Sequence, residues 1–193
     1  MPQLCTTLLL GVTGSIAAAD TPALVRRLRR DVAPEVHVIL TRAARRFVVP
    51  RAVALTSGHP VLSGVFDEAE GMSVPHIELA RLARLILVAP ATAHVLARCA
   101  HGLCDDLLTT TIVASRAPVV FAPNMNDAMW ESPVVQRNVR ILRELGHHVI
   151  EPTVGIEVAD GVLSFGAMPP ADELVKVLGE VLARRREATH APG

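Results

Sequence analysis

The residues best able to bind a small molecule stand in one stretch, residues 118–130. Residues 118–122 form a short apolar run, which predicts a buried parallel strand, and Pro123 ends it. The stretch continues with amide, thioether and indole side chains: Asn124, Met125, Asn126, Met129 and Trp130. Such side chains can hydrogen-bond a small polar group and pack against a flat one. Filling of the core is the alternative role for the Met and Trp side chains.

A second predicted strand, residues 85–89, ends in the same way. It is followed by Pro90, Ala91, Thr92, Ala93 and His94, so an Ala-Pro pair again leads into small polar residues. Ligands of open α/β sheets bind beyond the carboxyl ends of the strands. Two strand ends of the same design therefore predict two walls of one site.

The first predicted strand, residues 4–10, leads into a glycine-containing turn. Gly11 and Gly14 allow a sharp turn and close approach to a ligand, and Thr13 and Ser15 supply hydroxyl groups. Free N–H groups at the following helix start favour a phosphate, although an ordinary strand–helix turn has the same appearance. The spacing is not that of the dinucleotide fingerprint Gly-x-Gly-x-x-Gly.

Two further residues bear on the chemistry. The second predicted strand, residues 35–41, ends in Thr41 and Arg42, without the acidic residue that holds the ribose of NAD, and this counts against NAD. His76 follows Pro75 at the start of a predicted helix. A histidine in that place at the rim of the sheet is the best candidate for a general base, although a lone histidine is more often structural or exposed.

The composition of the chain and the order of its predicted strands and helices indicate an α/β fold. Half of the residues are hydrophobic but only 3% are aromatic, as expected of a parallel sheet packed between helices. We predict a Rossmann-like (flavodoxin-like) parallel sheet with helices on both faces, in one domain at residues 1–187 with a flexible tail at 188–193. Residues 147–150 form the last predicted strand. Residues 50–74 are expected to form helical turns and a loop, and residues 151–170 a long loop that acts as a lid or is disordered. The first predicted helix follows the glycine-containing turn and ends near residue 30, and another starts near residue 76. The other predicted helices span residues 43–49, 92–102, 104–115, 133–145 and 171–186.

Charge and cysteine content restrict the partners and the compartment. Lys+Arg and Asp+Glu are both 19, so nothing favours a nucleic acid or an anionic membrane. The three cysteines fit no common zinc pattern and are interpreted as reduced thiols, and no metal site is predicted. No apolar run reaches membrane-spanning length and the N-terminus is unlike a signal peptide, so we expect a cytoplasmic protein. The apolar, neutral composition is consistent with self-association.

Several segments together resemble one family over nearly the whole chain, from Leu8 to about Met168. The chain is similar to the homo-oligomeric flavin-containing cysteine decarboxylases, which include phosphopantothenoylcysteine decarboxylases and the peptidyl-cysteine decarboxylases of lanthipeptide-type biosynthesis. The matching segments are residues 14–17, 41–47, 76–80, 90–94, 101–108 and 123–130.

The resemblance implies an FMN cofactor held at subunit contacts of a trimer, which in some members assembles into a dodecamer. It implies that Gly14, Ser15 and Ile16 lie near the phosphate, and Thr41 and Phe47 near the other end of the cofactor. Residues expected close to the ring are Thr92, Ala93, Asn124 and Met125, and Pro90 is also expected to bind the cofactor. It implies His76 as the catalytic base and Asn126 as a ligand of the substrate carboxylate, with His94, Met129 and Asp160 also beside the substrate.

Two departures from the family pattern matter. His94 stands where the family usually has Asn, and an imidazole can donate hydrogen bonds or pair with a carboxylate. In the coenzyme A branch, a late loop carries Ala-Cys-Gly and then Gly-Arg-Met, whereas this chain has Asp160 and Ala167 at the Cys and Arg positions. That Cys is needed to reduce the first product, so the reaction here should stop one step earlier. A protonated Asp160 could partly replace it.

The implied reaction is oxidation of a cysteine side chain to a thioaldehyde by FMN, with His76 removing a proton, followed by loss of CO2 to give an enethiol. We expect the substrate to be the C-terminal cysteine of a ribosomally made precursor peptide, whose enethiol closes an aminovinyl-cysteine ring, with a ring-forming enzyme as a possible partner. One alternative is a phosphopantothenoylcysteine decarboxylase of coenzyme A synthesis. The other is a non-catalytic flavoprotein or regulatory subunit.

Overall fold

The computed structural model describes residues 3–67, 73–158 and 161–190, and the side chains of residues 189 and 190 are not described. Six parallel strands form one sheet in the order β3-β2-β1-β4-β5-β6. They are β1 (Thr7–Val12), β2 (Glu35–Leu40), β3 (Val61–Leu62), β4 (Leu85–Ala91), β5 (Val119–Pro123) and β6 (His148–Val149). This is the Rossmann order 3-2-1-4-5-6, so of the two fold labels predicted from sequence, Rossmann-like is the one that the strand order matches.

Helices cover both faces of the sheet, as predicted. They are α1 (Thr21–Asp31), α2 (Pro50–Ser57), α3 (Pro75–Leu82), α4 (Ala93–Ala100), α5 (Leu107–Ala114), α6 (Asp127–Glu131), α7 (Pro133–Glu144) and α8 (Ala171–His190). One hydrophobic cluster joins one sheet face to α1, α2 and α8, and the other joins the opposite face to α3, α4, α5 and α7. None of the helices in the described residues has the length and apolar character of a membrane span.

Alternation along β1 explains why one sheet supports two cores. Leu8 and Leu10 belong to the first cluster, while Leu9 between them belongs to the second, because successive side chains on a strand point to opposite faces. All seven residues of β4 are buried. A strand buried on both faces reads as a continuous apolar run, which is why β1, β4 and β5 could be located from sequence.

Two regions differ from the sequence prediction. Residues 50–57 form a regular helix, which agrees with the helical turns expected there, but Val61–Leu62 form a short strand beside β2 where a loop was expected. Two further strands, β7 (Thr153–Ile156) and β8 (Leu163–Ala167), pair as an antiparallel hairpin where a long loop was expected. A two-residue strand is too short to show a period, and the glycines at 155 and 166 interrupt the alternation expected of a strand.

Smaller differences concern element boundaries. The expected helix at 43–49 is only a 3-10 turn, Ala44–Arg46, and the long first helix is divided into a 3-10 turn, Ile16–Asp20, and α1. The helix expected at 104–115 begins at Leu107, because the Asp106 side chain caps it by accepting from the backbone N–H of Thr109 at 2.8 Å. The closing helix extends to His190, beyond the predicted domain boundary at residue 187.

Candidate active site

The site lies at the carboxyl edge of the sheet, where the strand order reverses between β1 and β4. Thr13, directly after β1, joins these two strand ends. Its hydroxyl donates to the Pro90 carbonyl at 2.7 Å and accepts from the Thr92 N–H at 3.0 Å. The reversal opens a crevice there, because the crossovers from β1 and β4 leave in opposite directions. Thr13 therefore fixes the floor of the crevice.

A chain of hydrogen bonds connects three segments across this floor. The Asn124 amide donates through Nδ2 to Ser15 Oγ at 2.5 Å, and its Oδ1 accepts from the Met168 N–H at 2.7 Å. The Met168 N–H can only donate, which sets the orientation of the amide. Since Ser15 Oγ accepts from Asn124, its own hydroxyl hydrogen remains able to donate to an anion.

Asn126 caps the short helix α6. Its Oδ1 accepts from the Met129 N–H at 2.9 Å. The cap uses only the oxygen of the amide, so the two N–H bonds of Nδ2 remain able to donate to a ligand. An amide N–H group of this kind can donate to a carboxylate.

The hairpin closes one side of the crevice and is attached to it through the backbone. The Met125 N–H donates to the Gly166 carbonyl at 3.0 Å. Gly166 has φ +146°, and a Cβ at this position would lie 2.1 Å from the Met125 carbonyl oxygen. Only glycine permits this approach, and the sequence prediction missed its role.

These segments enclose an open cavity of about 270 Å³. Its lining includes five residues predicted from sequence, namely Ser15, Ile16, Asn124, Met125 and Asn126. The hairpin contributes the other side through Gly155, Ile156, Glu157, Val158, Ser164 and Ala167. The structure thus brings together the turn after β1 and the loop after β5, which are more than one hundred residues apart in sequence. A larger cavity, about 520 Å³, is lined by Arg81, Arg84, Arg116 and Arg185 and contains none of the predicted site residues.

The glycine turn is built differently from the prediction. Gly11 lies within β1, and a Cβ there would meet the Leu108 side chain at 2.4 Å, so its small size serves packing rather than a ligand. A Cβ on Gly14 would meet the Ala43 Cβ at 2.4 Å. Gly14 therefore lets the turn after β1 approach the turn after β2, where Thr41 bonds the Val12 carbonyl. Phe47 is 42% exposed and, like Gly14 and Thr41, does not line the cavity.

The residues around the end of β4 also lie beside the cavity rather than in its lining. Pro90 is part of the strand, which continues to Ala91, and Thr92 caps α4, which begins at Ala93. His94 is exposed on the first turn of that helix. Met129 is 47% exposed, whereas Trp130 is buried in the core. Trp130 therefore has the core-filling role that was considered as the alternative to ligand binding. Asp160 lies outside the described residues.

His76 is on the first turn of α3, and its side chain is half-buried. Since α3 returns the chain from β3 to the amino end of β4, its first turn faces the carboxyl edge of the sheet. His76 does not line the cavity formed by this single chain. Its buried Nδ1 atom has no hydrogen-bond partner among the described residues.

The three cysteines are all free, and none of them lines the cavity. Cys99 is buried in the second hydrophobic cluster. Burial, followed by the negative charge of Asp106, raises the pKa of the Cys99 thiol to about 12. Cys99 is therefore a structural thiol, and nothing in its position relates it to the cavity.

Comparison with known proteins identifies the family. A family model described as Flavoprotein matches residues 3–183. The chain belongs to this family. The coenzyme A biosynthesis bifunctional protein CoaBC of Vibrio vulnificus is 42% identical over 168 residues, which cover 87% of this chain and 41% of that protein. The chain thus spans less than half the length of the curated relatives it matches.

Solved structures of flavin-dependent cysteine decarboxylases share the fold of this family member. The FMN-dependent cysteine decarboxylase SpaF has a TM-score of 0.79 and 36% identity, covering 92% of this chain and 97% of its own. A mutant PPC decarboxylase complexed with pantothenoylaminoethenethiol has a TM-score of 0.78 and 29% identity, covering 91% and 97%. A variant of EpiD complexed with the substrate peptide DSYTC has a TM-score of 0.79 and 25% identity, covering 90% and 98%. The prediction of a flavin cofactor, FMN, is confirmed by the family and by these neighbours.

The donor set of the crevice fits such a cofactor. The Ser15 hydroxyl can donate to a phosphate, and the N–H groups at the start of the 3-10 turn Ile16–Asp20 lie next to it. Ile16 is 48% exposed and Ile156 is 71% exposed, so apolar surface is open beside the polar groups. A cavity with a few placed polar groups and apolar walls suits an amphiphilic ring with a charged tail.

Proposed function

We propose that this flavoprotein catalyses FMN-dependent oxidative decarboxylation of the C-terminal cysteine of a ribosomally made precursor peptide. The product is an enethiol suited to formation of an aminovinyl-cysteine ring. Solved neighbours that are flavin-dependent cysteine decarboxylases support decarboxylation of a cysteine. We propose in addition that the substrate is a peptide and that the product is released in the oxidised form.

The observation that carries the proposal is the lack of a thiol at the cavity. All three cysteines, Cys5, Cys99 and Cys104, lie outside its lining. At the late-loop position where the resemblance to the coenzyme A branch expects a reducing Cys, the sequence has Asp160. Without a thiol to help reduce the enethiol, release of the oxidised product is the expected end of the reaction.

The residues of the chain would each perform one part of this reaction. Bound FMN supplies a two-electron acceptor for oxidation of the cysteine side chain. His76 removes the proton that the oxidation releases, through an imidazole whose buried Nδ1 lacks a partner among the described residues. The Nδ2 group of Asn126 donates to the substrate carboxylate, since its Oδ1 is used by the cap of α6.

The hairpin supports a peptide rather than a small thiol. Val154, Ile156 and Val158 are 64%, 71% and 70% exposed, so an apolar strip continues from the cavity to the surface. The backbone of an extended peptide could pair with a hairpin edge, and its apolar side chains could cover this strip. A substrate of only one residue would leave the strip exposed.

Decarboxylation of phosphopantothenoylcysteine is the second candidate function. It is favoured by the 42% identity with the Vibrio vulnificus CoaBC protein, which exceeds the identity with the EpiD variant bound to its substrate peptide. The spacing of residues 159–161 and 166–168, which matches that branch, is compatible with it as well.

Mass spectrometry of products separates the candidates. The purified FMN-loaded protein is incubated separately with a peptide that ends in Cys and with phosphopantothenoylcysteine. Loss of CO2 and a hydrogen pair from the peptide is the expected result. Loss of CO2 alone from the small thiol, with an unchanged peptide, would assign the protein to coenzyme A synthesis. Retention of both substrates by a flavin-loaded protein would favour the non-catalytic alternative.

The role of His76 is tested by His76→Asn. General-base catalysis contributes typically about 10²–10⁴-fold, so we expect turnover to fall by that order while the flavin absorbance is retained. His148→Asn is the matched control, because this half-buried imidazole on β6 lies outside the cavity lining and has no role in the proposal. Unchanged turnover in His76→Asn would remove His76 from the mechanism.

We propose further that the protein assembles into a trimer or dodecamer. Phe66 and Leu55 are 95% and 74% exposed, and the cavity of one chain lacks the predicted base in its lining. Large exposed apolar side chains are typical of interaction surfaces. Light scattering coupled to size-exclusion chromatography measures the mass, and a monomer with full activity would contradict this part of the proposal.

A further inference from the structure

A group of metal-ligating side chains lies at the other end of the sheet from the flavin site. Glu35 and His37 are two residues apart on β2, so their side chains point to the same face. Glu35 is the first residue of the strand, which places the pair near the amino edge. His59 comes from the turn between α2 and β3, the strand that neighbours β2.

The three side chains converge. His59 Nε2 is 2.6 Å from Glu35 Oε2, and the His37 and His59 rings stack with centroids 4.1 Å apart and an interplanar angle of 25°. One ligand atom from each residue lies within 4.8 Å of the other two. Of the described residues, only these three form a group of His, Cys, Asp or Glu with that spacing.

The backbone around His59 is also fixed. The Ser57 hydroxyl accepts from the His59 N–H at 3.2 Å and donates to the His59 carbonyl at 3.1 Å. Gly58 ends α2 with φ +78°, a conformation that glycine adopts without strain. The histidine is thus presented by a defined turn rather than by a free loop.

We infer that Glu35, His37 and His59 bind a divalent transition-metal ion of the Zn²⁺ type. Two imidazole nitrogens and one carboxylate oxygen form a donor set that zinc accepts, with water in the fourth position. Metal bonds of about 2.0–2.1 Å place tetrahedral ligand atoms about 3.3 Å apart. The 2.6 Å between His59 Nε2 and Glu35 Oε2 and the upper limit of 4.8 Å for the group bracket this value, so side-chain rotations would be enough to adjust the ligand atoms. Nitrogen-rich donors disfavour Mg²⁺ and Ca²⁺.

The ion would connect the start of β2 with the turn that leads into β3. Within the described residues, β3 has only two residues and pairs with β2 alone at the edge of the sheet. A metal bridge would hold this short strand in register. The site is independent of the proposed reaction, because its residues are at the opposite end of the strands from the cavity.

Zinc binding is measured on the tag-free, FMN-loaded protein after chelator treatment and alkylation of the exposed Cys104 thiol. Competition with a fluorescent chelator should give one Zn²⁺ per chain in the wild type. We expect His37→Gln and His59→Gln each to weaken binding by at least about tenfold, since loss of even second-shell partners typically costs 10–100-fold. His148→Gln is the matched control. This histidine lies beside another histidine, His147, but on the opposite edge strand of the sheet, away from the proposed metal site.

A second measurement uses the wild-type chain and so does not depend on folding of the variants. Zn²⁺ should protect His37 and His59 from carbethoxylation by diethylpyrocarbonate, with His148 labelled equally in both conditions. The inference is overturned if the wild type lacks saturable binding, if both variants bind as the wild type does, or if added Zn²⁺ leaves His59 as reactive as before.

Discussion

Single atoms of the two asparagines define what each can do. Asn124 uses both ends of its amide to hold Ser15 and Met168, and so it positions the crevice. Asn126 uses its oxygen to cap α6, which leaves its nitrogen for a carboxylate. The sequence predicted both residues in the site, and the hydrogen bonds show that Asn124 has a positioning role, whereas carboxylate binding by Asn126 is part of the proposed function.

Asn126→Asp tests that division. Aspartate is as good an N-cap as asparagine, so the melting temperature and FMN content should remain unchanged. The carboxylate would replace a hydrogen-bond donor with a charge that repels the substrate carboxylate. A hydrogen bond to a charged group is worth about 1.5–3 kcal/mol, and we therefore expect KM to rise by about tenfold or more. Steady-state kinetics measure the change, and an unaltered KM would exclude Asn126 from substrate binding.

The cysteines should differ in reactivity because one of them is buried. Cys99 has a pKa raised to about 12 by burial, so almost none of it is thiolate at neutral pH, while Cys104 is exposed. Iodoacetamide treatment of the native protein should modify Cys104 and spare Cys99, as judged by peptide mass spectrometry. Denaturation provides the control, since both should then react. Rapid labelling of native Cys99 would show that the core around it opens.

Some of the site residues predicted from sequence lie together in the structure, because they are polar side chains that directly follow a recognisable strand. Ser15, Asn124 and Asn126 were located in this way and share the cavity. Gly166 was missed, because nothing local to its sequence reveals that a Cβ would strike the Met125 carbonyl forty-one residues away. Met129 was singled out as part of the polar stretch after β5 and Phe47 through the resemblance, and the position of both relative to bound ligands remains a prediction.

At the scale of elements, the hairpin β7–β8 is the main addition to the predicted fold. Its connection to the loop after β5 depends on Gly166, whose φ of +146° an L side chain rarely adopts. The Met125 N–H to Gly166 carbonyl bond holds the two segments together. The hairpin and the loop that carries Asn124 therefore form one structural unit.

Gly166→Ala should detach the hairpin from the loop after β5. The added Cβ would clash with backbone rather than with a movable side chain, and a strained backbone position costs about 1–3 kcal/mol. We expect faster hydrogen exchange at the Met125 and Met168 amides and reduced turnover, with the sheet unaffected. Gly161→Ala is the control, since Gly161 also has positive φ but has open space around its Cβ position. Equal effects of both substitutions would assign the loss to φ strain alone.

The predicted elements were most accurate in the middle of the sheet. β1, β2, β4 and β5 were located within a few residues, because burial on both faces leaves long apolar runs. β6 was also located, since a strand was predicted at residues 147–150, whereas the two-residue strand β3 was missed because it is too short to show a pattern. The 3-10 turn at Ala44–Arg46 was predicted as a helix, since a short basic segment carries no signal for its length.

For the whole molecule, the global stability should depend on pH through half-buried histidines. Burial lowers the pKa of His147, with a further contribution from the neighbouring His148, whose own pKa is lowered by burial and by Arg184. The His147 ring packs edge-on against Phe121 in β5. The unfolded chain, in which His147 has its ordinary pKa near 6.5, therefore binds protons more readily than the folded chain.

His147→Gln tests this contribution. The stability that neutral His147 preserves is present above about pH 6.5 and is lost as the pH falls through that value, so the free energy of unfolding should decrease on acidification. The decrease between about pH 7.5 and 5.5 should be smaller in His147→Gln than in the wild type. Urea unfolding over this range measures both slopes. Parallel slopes would mean that His147 titrates alike in the folded and unfolded chain.

The hairpin also affects how the molecule could diversify. It is inserted between β6 and α8, outside the six-stranded sheet, and its strands pair with each other while one backbone position bonds the loop after β5. The residues that connect β7 and β8 could therefore be exchanged with those of a relative while the hydrophobic clusters and the turns after β1 and β5 stay the same. If the hairpin contacts the substrate as proposed, exchanging these few residues would change substrate preference without any change in the fold. A new preference could then be acquired by recombination of a short stretch of the gene.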